Sequence, residues 1–282
     1  MSRRALMRLM LPLVLLPLLI AACGGNSMAG MPGMGKSGSG GKMNMSGLPS
    51  WAGQLKVHIL SPSNGATVTG NELPLHLSFS GYTPDCLLAG SPVKPGTGHF
   101  HVYLDGKLVD MFCSPDVDVS MQNVTPGPHK IRVVPALNDH QLVTENEVTI
   151  GFTYSPTSPL PVIGPAASGA TPSITITSPA SGSTVAGVFD MTVQVTNFQL
   201  SCPLQGKGAI SGYGDWVLNL DTLHGAMNGM ATMARISCSA TIQLSTAAMS
   251  PGQHAFIAYL ANSVGATRVP LVSSQIDLQV KR

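Results

Sequence analysis

The chain states its fold twice. Val57-His58-Ile59-Leu60-Ser61-Pro62 followed by Asn64-Gly65-Ala66-Thr67-Val68 is matched by Ile174-Thr175-Ile176-Thr177-Ser178-Pro179 followed by Ser181-Gly182-Ser183-Thr184-Val185. GHFHVYLD at 98–105 aligns with GDWVLNLD at 214–221, and Pro126-Gly127-Pro128-His129 with Pro251-Gly252-Gln253-His254. Cysteines fall in register between these blocks, and each copy runs to about 100 residues. A repeat of that length is a whole domain rather than a solenoid unit, so one architecture has to serve twice.

The apolar pattern says which architecture. Leu73, Leu75, Leu77 and Phe79 alternate with polar residues, as do Phe100, Val102 and Leu104, then Ile131 and Val133. Phe189, Met191, Val193 and Val195 repeat the pattern in the second copy. A period of two, punctuated by Gly, Pro and Asn turns, gives half-buried antiparallel strands. Charged residues make up only 10% of the chain, which suits many short strands over long amphipathic helices. Enough strands for a two-sheet sandwich fit in each copy. The Ser-Pro-x-x-Gly-x-Thr-Val opening and the Pro-Gly-x-His approach to a late strand resemble bacterial immunoglobulin-like modules. The expected fold is therefore all-β: two tandem immunoglobulin-like antiparallel sandwiches, at 51–154 and 173–282. Ser155 to Pro172, with five prolines, reads as a semi-extended linker.

The N-terminus carries an address. Arg3, Arg4 and Arg8 precede an apolar run from Leu11 to Ile20 that is too short to span a bilayer. Ile20-Ala21-Ala22-Cys23 then resembles the lipobox of bacterial lipoproteins, which implies a signal peptide at 1–22 and acylation of Cys23. The expected location is extracytoplasmic, anchored by lipid to a bacterial membrane. Residues 23–50 are rich in Gly, Ser and Met and read as a tether with a reach of about 30 Å. With the signal removed, 12 of the 15 basic residues remain against 13 acidic ones, so no basic surface is left for nucleic acid.

Setting Cys23 aside leaves Cys86, Cys113, Cys202 and Cys238. An even number in an exported chain reads as two disulfides. Pairing Cys86 with Cys113 and Cys202 with Cys238 places one in each copy, each adding about 3–4 kcal/mol in the chain-entropy model.

Two constellations bear on chemistry. With Phe100, Val102 and Leu104 turned to the core, His99, His101 and Tyr103 share the opposite strand face. Residues i and i+2 on a strand lie about 6.5–7 Å apart at Cα, within reach of one metal ion. An immunoglobulin-like topology brings the loop Asn138-Asp139-His140-Gln141 to the same end, so His140, with Asp139, is placed to complete a cluster suited to copper or zinc. The block resembles a domain family of unknown function with a Gly-Thr-Gly-His-His-His-type strand, a Pro-Gly-x-His turn and an Asp-His turn. The matching residues are Gly96, Thr97, Gly98, His99, His101, Pro126, Gly127, His129, Asp139 and His140, with Phe100 in place of the middle histidine; the resemblance covers 55–153. The second copy has Asp215, Val217 and Gly265 where the first has His99, His101 and His140, whereas His129 and His254 occupy the same turn in both and read as structural.

The other constellation is methionine: Met28, Met31, Met34, Met43 and Met45 in the tether, and Met227, Met230 and Met233 after His224. These spacings resemble the methionine motifs of exported copper-handling proteins, and thioethers suit Cu(I). No Gly-x-Ser-x-Gly elbow and no paired carboxylates stand out, so an enzyme is not expected. The sequence points to a non-catalytic binding or structural module of the cell envelope, its partners the membrane and an envelope protein or ligand. The alternative is a copper- or zinc-binding lipoprotein.

Overall fold

The computed structural model describes residues 47–166, 169–223 and 233–282, whose regular structure is β-strand apart from short 3-10 turns. In the first copy the strands are β1 (Lys56–Ser61), β2 (Ala66–Val68), β3 (Glu72–Ser80), β4 (Thr83–Pro84), β5 (Thr97–Leu104), β6 (Lys107–Phe112), β7 (Asp116–Ser120), β8 (Gly127–Ala136) and β9 (Val148–Tyr154). The second copy repeats them as β10 (Ser173–Ser178), β11 (Thr184–Ala186), β12 (Val188–Thr196), β13 (Gln199–Leu200), β14 (Tyr213–Leu220), β15 (Met233–Ser237), β16 (Thr241–Ser245), β17 (Gly252–Asn262) and β18 (Ser273–Lys281).

Each copy is a sandwich of a three-stranded sheet on a larger one. The small sheets run β1-β3-β7 and β10-β12-β16; the large ones run β2-β9-β8-β5-β4 and β11-β18-β17-β14-β13, with β6 and β15 pairing to β5 and β14. This is the immunoglobulin arrangement, in which A, B and E form one sheet and G, F, C and C′ the other. The alternating residues fill the space between the sheets. Leu73, Leu75, Leu77, Phe100, Val102, Ile131 and Val133 make the first core; Met191, Val193, Trp216, Leu218, Phe256 and Leu278 make the second. Trp216 also donates its indole N–H to the Ser239 carbonyl at 2.7 Å, so its one polar atom is satisfied. Disulfides join Cys86 to Cys113 and Cys202 to Cys238, 27 and 36 residues apart.

Three features depart from the sequence reading. Leu48, which falls in the expected tether, packs with Trp51 on a cluster of Ala52, Leu55, Tyr82, Leu137 and Val143. That cluster braces the β8–β9 loop from below. The proline-rich segment is held by side chains of the first sandwich: Gln122 Nε2 donates to the Pro161 carbonyl and Asn123 Nδ2 to that of Ile163, both at 2.8 Å. Finally, residues Ser46–Arg282 form one compact unit, because the two large sheets lie against each other. Met111, Val217, Met233, Tyr259 and Ala261 form an apolar cluster drawn from both copies.

That contact is reciprocal. A Cβ on Gly90 would run into the Met233 carbonyl and Ala234, and one on Gly206 would meet the Leu108 carbonyl oxygen at 2.8 Å and Val109 at 3.1 Å. Leu108 pairs with Tyr103 as Met233 pairs with Asn219, so the two contacts involve the same positions with the copies exchanged. The interface is thus isologous about a pseudo-two-fold axis, the form a symmetric dimer takes. Only glycine lets the backbones approach so closely.

Candidate metal centre

The site begins with the alternation of β5. Phe100, Val102 and Leu104 enter the core, and His99, His101 and Tyr103 lie on the other face. Gly98 fixes where this strand meets β8, since a Cβ there would strike the Ala136 carbonyl; Gly214 holds the same place against Ala261 in the second copy. His99 pairs with Ala136 and His101 with Val134, which carries the chain on into the loop bearing His140.

That loop is tightly tied. His140 N–H donates to the Leu137 carbonyl at 2.9 Å, Leu137 N–H to that of Gln141 at 2.9 Å, and Val143 N–H to that of Pro135 at 2.8 Å. Asn146 Nδ2 donates to the carbonyls of Gly53 and Leu55 at 2.8 and 2.7 Å. His140 sits at φ 66°, in the left-handed region. The turn aims its ring at β5.

Three imidazoles therefore converge. His99 Nε2 lies 3.0 Å from His101 Nε2 and 2.9 Å from His140 Nδ1. One ligating atom from each ring falls within 4.8 Å of the other two. His140 Nε2–H donates to the Met233 carbonyl at 2.7 Å, which leaves Nδ1 unprotonated with its lone pair toward His99 Nε2. His101 Nδ1 faces the Tyr103 hydroxyl at 3.3 Å, and the Arg132 guanidinium lies 4.1 Å above the Tyr103 ring. Such outer contacts orient metal-ligating imidazoles and fix their tautomers. His99 Nδ1 is buried and finds no partner among the described residues.

Burial sets the protonation state. Desolvation, then the neighbouring His140, His101 and Arg235, hold His99 well below the ordinary imidazole value. Desolvation, His140 and Arg132 push His101 down to about 3. Desolvation also lowers His140, though its bond to the Met233 carbonyl and the nearby Asp139 work the other way. All three rings are neutral at neutral pH and present lone pairs, the form a metal requires. Two nitrogens bound at 2.0–2.1 Å lie about 2.9 Å apart at a right angle and about 3.3 Å apart at the tetrahedral angle. The spacings to His99, 2.9 and 3.0 Å, place the rings in hydrogen-bond contact and within reach of one shared ion.

The expected strand face is in place, but it does not meet solvent. His99 and His101 are fully buried and His140 is 3% exposed, with Met233 of the second copy against the His140 ring. Asp139 stays out of the cluster: its carboxylate accepts from Gln141 N–H and Nε2 at 3.2 and 2.6 Å. Met233 does not serve as a surface ligand, since its side chain packs in the interface cluster with Met111 and Tyr259. Met28, Met31, Met34, Met43, Met45, Met227, Met230, His224 and Cys23 lie outside the described residues. His129 and His254 make matching clasps: each faces an aspartate, Asp105 or Asp221, at 2.7 or 2.8 Å, and a turn carbonyl, Thr125 or Ser250, at 2.7 or 2.9 Å.

Sequence reasoning missed a charged group at the interface. Asp110 and Arg235 occupy the same register position in the two copies, opposite Val102 and Leu218, and attract each other across the contact. Desolvation raises Asp110 to about 7 and Asp215 to about 8, the latter also through the charge of Asp110. A signal was present. Val133-Val134-Pro135-Ala136 and Phe256 to Ala261 are continuous apolar runs rather than alternating ones, the mark of strands covered on both faces.

No family model matches the sequence, and no curated protein matches it significantly. Among solved structures, the chain is similar to the fibronectin(III)-like modules of Clostridium thermocellum CbhA, at 13% identity over 80% of this chain and 94% of that one, with a TM-score of 0.25. It is also similar to CopC from Methylosinus trichosporium OB3b, at 17% identity over 38% of this chain and 98% of that one, with a TM-score of 0.22. A third likeness, to the endo-beta-1,4-mannanase from Thermotoga petrophila, has 9% identity over 40% of this chain and only 20% of that one, with a TM-score of 0.25. Likenesses of this grade support no inference about ligand or activity.

Proposed function

We propose that this chain is a non-catalytic metal-binding module of the cell envelope, holding one copper or zinc ion between His99, His101 and His140. The observation that carries the reading is the convergence of three buried, neutral ring nitrogens within 4.8 Å of one another. The nitrogens that face one another, His99 Nε2, His101 Nε2 and His140 Nδ1, converge on one buried point, the arrangement a shared metal ion requires.

The rest of the reading rests on the sequence. Cys23, acylated after removal of 1–22, anchors the chain to a bacterial membrane, and two disulfides fit an extracytoplasmic setting. The tether methionines supply a second, softer site for Cu(I).

Titration of fragments 24–282 and 46–282 with copper and zinc, against a competing chelator and with bound metal counted per chain, tests this. The histidine site predicts one ion in the shorter fragment, lost in His99→Ala with His101→Ala. Additional Cu(I) in the longer fragment alone would assign the methionines. No bound ion in either fragment would overturn the reading.

A further inference from the structure

We propose that the second sandwich is the lid of the metal site, and that metal occupancy and docking of the two sandwiches reinforce each other. This rests on the metal-binding reading above. All three candidate ligands belong to the first sandwich and are buried, and the second sandwich brings the Met233 carbonyl to His140 and the Arg235 charge near His99 and His140. One hydrogen bond ties a candidate ligand directly to that second sandwich. His140 Nε2–H donates to the Met233 carbonyl, the first residue of β15.

The coupling follows from imidazole chemistry. A neutral ring carries one proton, so the nitrogen that binds metal and the nitrogen that donates are necessarily different atoms. Docking holds the proton on Nε2 and leaves Nδ1 free to ligate. A metal on Nδ1 in turn keeps the proton on Nε2 and polarises that N–H, strengthening its bond to Met233. Undocking removes the tautomer constraint and admits water to the site. Whatever factor docking adds to metal affinity, metal must add to docking.

The backbone contacts give a handle remote from the histidines. At Gly206, φ 71°, a side chain would meet Leu108 and Val109 on the far side of the pseudo-dyad. Gly206→Val therefore wedges the interface without touching a ligand.

The test uses the full chain in detergent, with zinc and copper(II) alone, in turn, as the probe. Hydrogen exchange across Met233–Ser237 is followed with and without metal, with bound metal counted in parallel. The expected result is at least tenfold slower exchange in β15 on metal binding, although β15 supplies no ligand, and at least tenfold weaker metal binding by Gly206→Val. Bound metal with unchanged exchange in β15 overturns the coupling while leaving the metal site standing. If Gly206→Val fails to fold, the exchange measurement on the unsubstituted chain decides alone. A chain that takes up no zinc or copper removes the metal reading, and the lid with it.

Discussion

His140 stands at φ 66° in a turn whose counterpart in the second sandwich is Gly265 at φ 76°. The two turns are built alike: His140 N–H bonds to the Leu137 carbonyl and Gly265 N–H to the Asn262 carbonyl, at 2.9 and 2.8 Å. Glycine is the natural occupant of such a position, and a residue with a Cβ pays about 1–2 kcal/mol to stay there. The first sandwich accepts that strain to aim an imidazole at His99.

His140→Gly should therefore leave the metal-free protein about as stable as before, within about 1 kcal/mol, the relieved strain offsetting the lost bond to Met233. His140→Ala keeps the strain and loses the bond, so it should be less stable than His140→Gly by about 1 kcal/mol or more. Urea denaturation of both variants checks the order, and metal titration should find both without the site. A stabler alanine variant would contradict this account of the turn.

The interface should loosen as the pH rises. Burial raises Asp110 to about 7 and Asp215 to about 8, so the docked form holds protons that the separated sandwiches release near the ordinary carboxylate value. The docked state thus has its full stability below about pH 4 from this source and loses it as pH climbs through 8, by up to about 1.4 kcal/mol per unit for each group. Small-angle scattering between pH 5 and 9 should show the particle expanding at the alkaline end. Asp110→Asn with Asp215→Asn should flatten the profile, and an unchanged profile in that double variant would refute the assignment.

The clasp histidines should separate cleanly from the site histidines. His129→Ala or His254→Ala removes a bond to an aspartate and another to a turn carbonyl, and should cost about 1–2 kcal/mol in chemical denaturation. Metal stoichiometry should stay the same in both. A lost ion in His129→Ala would mean that the site extends to that turn.

Replacing Cys86 and Cys113 by Ala opens a loop of 27 residues, and should cost about 2–4 kcal/mol. The same turn leads to Gly90, so exchange in β15 should quicken as well. Unchanged exchange would show that docking does not depend on this staple.

Much of this was legible in the sequence. The alternation of Phe100, Val102 and Leu104 assigns the strand and its faces, and immunoglobulin topology brings His140 to His99 across 41 residues. The docking of the copies was harder to read. The proline count of the linker suggests stiffness, whereas its position depends on Gln122 and Asn123 reaching its carbonyls. Asp110 and Arg235, 125 positions apart, look like ordinary surface charges until the docking of the copies brings their charges together. Met233 fits a methionine series by spacing, but its packing follows from the apolar residues the other copy brings to it.

A self-complementary contact does not distinguish its own chain from a neighbour. Each sandwich offers the surface that the other requires, so two molecules opened at the 18 residues between Tyr154 and Ser173 could trade partners and re-form the same contacts as an exchanged pair. What favours closure within one molecule is effective concentration, set by the length of that connection. Crowding such chains on a membrane surface brings the two options closer, and a deletion in the connection would select the exchanged form.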